Sequence, residues 1–520
     1  MNRRSPRRRM WMLPLSVGLA ALASLLTPVA SLGADPSPAA VTNALSFGGS
    51  QLSRTHSSLP SSSYPISTRS SGSWNTTNAS GWTSGFLPGA LWMKYRETRS
   101  ATWRSQAQSR QAGIQSQQSN SSTHDVGFMI FNSFGNGYKL TGTDSYRQVV
   151  LSASSSLAKR YSPVVGMTRS WNNSGTDFRV IVDNMMNLEM LFWAANNGGD
   201  PAWRQMAVSH ALRTSRDFVR PDGGTYHVVH YDPTSGAVRS KRTHQGASAE
   251  STWSRGQAWA IYGFTMAYRE TGDVRFLDTA RRVSDYYLAR LPADSVPYWD
   301  FQAPAIPSEP RDSSAAAVAA SGLLELSQRE TDPSRAAGYR SAAGSMLSSL
   351  TSSAYLAQGA SNRAILLHGT RNRPAGDFDT GTIWGDYYLL EALLRYRGQF
   401  RVDNRPRLED GAKITLGVGP KRIRNGQRAG FRGRVTGGGE PVPDVIVALE
   451  ARVGRRWVNF RTLRSGPEGI FETLYRFTRT YRTRTYRFRA RIVSQTGSET
   501  GKVVSRGGRV KVLGRRLRRR

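Results

Sequence analysis

Between about residues 85 and 396 the sequence alternates between two kinds of helical segment, and no other feature narrows the possible folds as much. Segments near 125, 180, 253, 313 and 377 are apolar and rich in small residues, with isolated Asp, Gly, Trp and Gln. Segments near 143, 200, 273 and 332 are amphipathic, with Arg, Ser and Thr along one side. A helix that is apolar all round needs neighbours on every side, whereas an amphipathic one covers a core and faces water. Periodicity predicts helices over 85–98, 100–118, 125–136, 143–159, 180–197, 200–218, 253–270, 273–291, 313–329, 332–352 and 377–396, with a weaker one over 40–59. That makes about twelve. The arrangement this favours is an all-α (α/α)6 barrel, an inner ring of helices wrapped by an outer ring, in which Gly256, Gly263, Ala315 and Ala316 allow close approach. A generic helical solenoid is the alternative.

The pattern changes after Tyr396. Residues 399–412 are polar and charged and read as a linker. Short alternating runs then follow over 413–514, separated by turn residues at the spacing of a small all-β sandwich, immunoglobulin-like in style. In Tyr486-Arg-Phe-Arg-Ala-Arg-Ile492 the alternation sends apolar groups to one face and arginines to the other. A basic tail, 515–520, closes the sequence. Residues 411–520 hold 28 Lys and Arg against six Asp and Glu, so they carry most of the chain's net charge of +35.

At the other end, five arginines precede an apolar run over 10–26 and then small residues to Ala34. This reads as a secretory signal over 1–34, with an uncleaved anchor as the alternative and no later apolar run of spanning length. The 520 residues contain no cysteine, so the exported chain relies on its cores alone. The expected location is secreted or at the surface of a bacterial cell. The barrel domain is expected over 35–398.

Within the barrel, 179–195 stands out. Asp183 and Asn187 sit four apart, beside an apolar stripe of Met185, Leu188 and Phe192. Asp183 is either a helix cap or a working carboxylate, and the segment alone does not decide. Similar polar clusters fall at the starts or loops of other inner segments: His124-Asp125, His227 with Thr243-His244-Gln245, and Trp253-Ser-Arg255-Gly-Gln257-Ala-Trp259. Two carboxylates, an arginine, a histidine and tryptophans converging on one pocket suit a charged sugar. Indoles stack on sugar rings, Arg pairs with a carboxylate, and a carboxyl group moves protons. Each has a plainer reading: His124-Asp125 as a cap, His227 as a structural residue, the tryptophans as core, and Arg255 as the neutraliser of an acid. No residue set has metal-ligand spacing, and neither a phosphate loop nor a nucleophile elbow is present, so neither metal nor cofactor is expected.

The motifs His124-Asp-Val-Gly-Phe, Asp183-Asn-Met-Met-Asn-Leu, Thr243-His-Gln-Gly, Ser251-Thr-Trp-Ser-Arg-Gly-Gln-Ala-Trp, Pro310-Arg-Asp-Ser-Ser and Trp384-Gly-Asp-Tyr-Tyr together resemble glycoside hydrolase family 88, the unsaturated glucuronyl hydrolases. The resemblance implies the (α/α)6 fold and action, without a metal, on 4,5-unsaturated uronic acids left by polysaccharide lyases. It makes Asp183 the general acid/base and Asp125 the second essential carboxylate, nucleophile or water-positioner. It places His227, Thr243, Gln245, Arg255 and Trp259 around the sugar. The reaction it implies is hydration of the C4=C5 double bond. Asp183 must then be protonated at working pH. A helix start lowers its pKa while burial and a nearby carboxylate raise it, and the latter two are expected to win.

Two other functions fit parts of the sequence. One is an unsaturated rhamnogalacturonyl hydrolase, for which the residue after Arg255-Gly is usually not Gln. The other is a non-catalytic protein binding acidic glycans, against which the presence of both aspartates argues. The basic β domain is expected to hold the protein on acidic polysaccharide or cell-wall polymer. A nucleic-acid partner matches the charge, but no recognised module supports it.

Overall fold

Aspartate and threonine caps set where several barrel helices begin. In the computed structural model, Asp273, Asp312, Asp332 and Thr382 each accept a backbone N–H of the first helical turn. The structure describes residues 35–400 apart from 173–176, and 412–514 apart from 438–439, 443–444, 455, 467, 479 and 494–502. The expected signal at 1–34, most of the expected linker and the basic tail lie outside the described residues.

In chain order the helices are α1 (Pro38–Ser58), α2 (Phe86–Thr98), α3 (Ala101–Ala112), α4 (Val126–Ile130), α5 (Asn136–Thr141), α6 (Asp144–Ala158), α7 (Asn184–Asn196), α8 (Ala202–Asp217), α9 (Ser254–Thr271), α10 (Val274–Leu288), α11 (Ser313–Arg329), α12 (Pro333–Leu350) and α13 (Ile383–Tyr396). A π-helical turn, Phe131–Gly135, joins α4 and α5 into one element. Helices α2, α4–α5, α7, α9, α11 and α13 form the inner ring, and α1, α3, α6, α8, α10 and α12 the outer one, in an (α/α)6 barrel. Burial follows the two sequence styles: Ser313–Leu326 of α11 is buried on every side. In α10 only the stripe containing Phe276, Leu277, Ala280, Val283 and Tyr287 is buried.

The inner helices run parallel, as their contacts show. Arg255 meets Asp312 and Trp384 meets Ser314 at one end. Tyr262 and Ser321 meet Glu391 midway, and Arg269 and Arg395 meet Glu325 at the other end. Connections at that last end are short: 99–100, 142–143, 197–201, 272–273 and 330–332. Those at the first end are long: 59–85, 113–125, 159–183, 218–253, 289–312 and 351–382. The first end is therefore the mouth. Beneath it lies a cavity of about 20 Å³, room for about one water, lined by residues including Asn187, Tyr262, Tyr388 and Glu391.

The segment expected as one helix over 180–197 is divided. Phe178–Ile181 is a strand, and the helix starts only at Asn184. The β-branched Val180 and Ile181 pair antiparallel with Val229 and Val228, so ladder pairing outweighs the helical periodicity. Val228–Tyr231 pairs with Val238–Arg242 as a hairpin and makes a three-stranded sheet with 178–181. The helix expected from 377 begins at Ile383.

Residues 413–513 form two sheets around a separate core containing Phe431, Leu449, Phe471, Phe488 and Val510. Strands Arg422–Arg424, Gly508–Leu513, Arg484–Ile492, Ile446–Val453 and Arg456–Arg464 lie side by side in one sheet. Arg428–Gly437 centres the other, paired with Ile470–Arg476. Phe431 of one sheet meets Phe488 of the other edge-on at 4.9 Å, which makes this a β-sandwich.

Candidate active site

Asp183 occupies the N-cap position of α7, yet its side chain caps nothing. The side chain keeps 14% of its exposure, and Oδ2 has no hydrogen-bond partner. A buried polar atom left unpaired is costly in a native fold and calls for a reason. Two further such atoms lie close by. His227 Nε2 is 3.8 Å from Asp183 Oδ2, and the Trp259 indole nitrogen, on α9, also lacks a partner.

The electrostatics of Asp183 follow from this setting. Burial pushes its pKa up to about 7. The Arg255 guanidinium, its own backbone N–H and the Trp259 indole pull it back, while the Asp125 carboxylate adds to the rise. Near neutral pH it is a carboxyl group that can both hold and release a proton.

His227 is held neutral, its pKa well below the usual value because of burial first, then His244 and Arg255. Its Nδ1 accepts the backbone N–H groups of His244 (3.2 Å) and Gln245 (3.3 Å). That network assigns the ring's proton to Nε2, the atom facing Asp183. Thr243 Oγ1 sits 3.4 Å from the same Nδ1 and accepts the Gly246 N–H at 2.7 Å, so it shapes the turn carrying these amides. The His227 ring lies against Trp253, with centroids 4.5 Å apart.

Asp125 opens α4. Its Oδ2 accepts Thr123 Oγ1 (2.7 Å), and its Oδ1 lies 3.3 Å from His124 Nε2. The other His124 nitrogen faces Asn187 Nδ2 at 2.9 Å. A chain of polar contacts thus runs from α7 through His124 to Asp125. Gly127 makes room for it, since a Cβ there would lie 2.4 Å from Asn187 Oδ1.

Arg255 is 1% exposed. Its Nη1 donates to Asp312 Oδ2 (2.7 Å) and to the Thr370 carbonyl, and its Nη2 to the Arg371 carbonyl (2.8 Å). Trp253 and Trp384 lie 4.5 and 5.2 Å from the guanidinium. The Gln245 amide donates to the same Arg371 carbonyl at 2.7 Å. Asp386 holds the loop farther back by accepting the N–H groups of Ile365 and Leu366, and burial pushes its pKa up to about 8. Arg255 and Gln245 are therefore tied to loop 351–382. Asp183, His227 and Trp259 turn unpaired atoms toward one another.

The sequence places His124 and Asn187 in the polar clusters without giving them a role, and it gives no sign of the Asp312, Thr370 and Arg371 contacts to Arg255. The recurrence of Asn187 four residues after Asp183 was a signal for one of the first two. Asp312 caps α11 with one oxygen and holds Arg255 with the other.

The family model described as Glycosyl Hydrolase Family 88 matches residues 61–325, a span that includes Asp125, Asp183, His227, Arg255 and Asp312. The chain belongs to this family. A family 88 relative, an unsaturated glucuronyl hydrolase of Formosa agariphila, is 43% identical over 321 residues, 60% of this chain and 79% of that protein. Another, an unsaturated glucuronyl hydrolase of a Bacillus species, is 38% identical over 60% of this chain and 85% of its own length. Among solved structures, an unsaturated glucuronyl hydrolase specific for heparin superposes with a TM-score of 0.68 at 36% identity, over 70% of this chain and 98% of that one. Membership of family 88 makes the chain a glycoside hydrolase with an α/α barrel.

Proposed function

We propose that this hydrolase removes a 4,5-unsaturated uronic acid from the non-reducing end of oligosaccharides produced by polysaccharide lyases. The observation that carries the reading is Asp183, a largely buried carboxyl group with an unpaired oxygen and a pKa near 7 beside a neutral His227.

In such a sugar the C4=C5 double bond is conjugated with the ring oxygen, so C4 is the basic carbon. Asp183 donates its proton to C4, and positive charge develops at C5 and the ring oxygen. The Asp183 carboxylate then takes a proton from a water as its oxygen bonds to C5. The resulting hemiketal opens by breaking the bond between C5 and the ring oxygen. C1 is left as a hemiacetal that expels the aglycone sugar. One water is consumed and Asp183 ends protonated. A single carboxyl group thus acts as acid and base, which requires a pKa close to working pH. The rule relating carboxylate separation to retaining or inverting outcome does not apply.

Asp125 adds to the rise in the pKa of Asp183 and so favours its protonated form. His227 offers its Nε2 proton to a substrate oxygen. Trp259 turns its indole N–H toward Asp183 and moderates the rise of its pKa. Arg255, Gln245 and Thr243 act from behind, holding loop 351–382 and the amides that fix His227. The charge of the β domain supports attachment to acidic polysaccharide, and the substrate class supports a secreted or surface location, which cell fractionation tests. The enzymatic reading is tested by incubating the protein with unsaturated uronyl disaccharides from hyaluronan, chondroitin, heparin, gellan and xanthan. Loss of the double bond's ultraviolet absorbance with release of the aglycone sugar is expected. Absorbance unchanged by every member of the panel would rule it out.

A further inference from the structure

The two faces of the β-sandwich treat their arginines differently. On the smaller sheet Arg432 lies opposite Glu472 in register and within 3.7 Å of it, and Arg434 lies 3.6 Å from Glu468. One like pair occurs there, Arg428 opposite Arg476 at the strand ends, and Arg476 turns aside to the Gly426 carbonyl.

The outer face of the sheet containing Arg484–Ile492 sets cation against cation in its middle. Arg487 is directly opposite Arg509, and Arg422 is in register with Lys511. All four are exposed, and Arg424 and Arg452 point the same way. Arg489 and Arg491 share Glu450, the one acid of that face among the described residues, at 2.7 and 2.9 Å. Among the described residues, Arg487, Arg509, Arg422 and Lys511 have no carboxylate partner. Neighbouring strands are about 4.8 Å apart, and like charges directly opposite each other destabilise a sheet. Folding does not account for this arrangement, but a polyanion lying across the strands does.

We propose that the outer face of the sheet containing Arg484–Ile492, centred on Arg487, Arg509, Arg422 and Lys511, is a docking surface for an acidic polysaccharide bearing repeated carboxylate or sulfate groups. The choice of a glycan rests on the hydrolase reading above, because such a polymer is the parent of the proposed substrate. The aromatic content of the face agrees. Single-stranded nucleic acid binds where several aromatic side chains offer stacking platforms. Among the described residues this face has only Trp457, whose ring already carries the Arg489 guanidinium at 4.5 Å.

The test uses the full chain on immobilised hyaluronan and heparin, which lack the unsaturated end and so do not engage the barrel site as substrate. Changing Arg487, Arg509, Arg422 and Lys511 together to Gln is expected to weaken retention about ten- to hundredfold, at the strength of exposed ion pairs. It is also expected to flatten the salt dependence of binding and to leave disaccharide turnover unchanged. The thermal midpoint is expected to stay level or rise, since like-charge repulsion is relieved. The Arg432→Gln, Arg434→Gln variant of the opposite face is expected to retain normally. Equal losses from both faces, or wild-type retention by the four-site variant, overturns the proposal. So does equal or tighter binding to single-stranded DNA or anionic vesicles. Retention and turnover are read separately, so an inactive protein with face-specific retention defeats only the hydrolase reading.

Discussion

The two ends of the barrel bury carboxylates on the same helices and leave them in opposite states. At the mouth, Asp183 heads α7 with an oxygen unpaired, and burial drives its pKa up to about 7. Toward the base, Glu189 on the same helix meets Lys139 and Arg269. Glu325 meets Arg269 and Arg395, and its pKa falls to about 2 because those cations outweigh burial. Glu391 joins through Arg395, Tyr262 and Ser321. Five inner elements thus contribute to a closed ion network at one end, while the other end holds an acid short of partners. Burial alone therefore does not make a carboxylate reactive. What decides is whether the fold supplies cations and donors to every oxygen.

The largest expected effect comes from removing the underpartnered acid. Asp183→Asn is expected to lower turnover about 10²–10⁴-fold, measured on an unsaturated disaccharide. Its effect on stability has the opposite sign. Since the folded pKa is raised, Asp183 contributes stability below about pH 4 that is lost as pH rises through about 7. The Asn variant should therefore melt at or above the wild-type midpoint at pH 8, and the gap should close at pH 4. A lower midpoint at pH 8 would mean that Asp183 is paired after all.

Breaking the satisfied end should do the reverse. Glu325→Gln leaves Arg269 and Arg395 short of a counter-charge and is expected to cost about 3–5 kcal/mol of stability, read by denaturant unfolding. The protein that remains folded should keep the wild-type pH profile. A displaced profile would couple the two ends.

Between these lies the double change Arg255→Met, Asp312→Asn, which removes a buried pair without orphaning either partner. Loss of the charged hydrogen bonds holding loop 351–382 should lower kcat/KM about ten- to hundredfold, at about 1.5–3 kcal/mol. Arg255 also lowers the pKa of Asp183. The fall of kcat/KM above about pH 7 should therefore move to higher pH in the variant, an outcome that mere loosening of the loop does not produce. The smallest effect belongs to Gly127→Ala, which crowds Asn187 and is expected to cost about 1–3 kcal/mol. Its activity should fall through displacement of His124 and Asp125.

Much of this was legible in the sequence because the signals are local. Inner and outer helices differ in how many faces are apolar, and several starts coincide with caps such as Asp312 and Asp332. The residues at the mouth could be found because polar groups were scarce in segments that are otherwise core. The ion network was invisible for the opposite reason. Lys139, Glu189, Arg269, Glu325 and Arg395 each read as an ordinary helix-surface charge, and the partners are 50 to 80 residues apart. The bonds from Arg255 to Thr370 and Arg371 span more than a hundred positions and end on backbone carbonyls, which no side-chain pattern announces. Strand 178–181 was masked because Val180 and Ile181 also satisfy a helical stripe.

The parallel run of the inner helices has a consequence for how substrate arrives. Gly85, Asp125, Asp183, Trp253, Asp312 and Thr382 stand at the N-cap positions of α2, α4, α7, α9, α11 and α13, and all lie at the mouth. Each N-terminus carries roughly half a positive charge from its aligned peptide dipoles. Six of them converge on one opening, so an anionic sugar drifting past is drawn inward before any side chain touches it. This attraction is indifferent to the sugar that follows the uronate and weakens with salt. It does not depend on Arg255, whose Nη1 and Nη2 are already committed to Asp312 and the loop. The direction in which the chain is wound thus adds a positive potential at the mouth that favours an anion there.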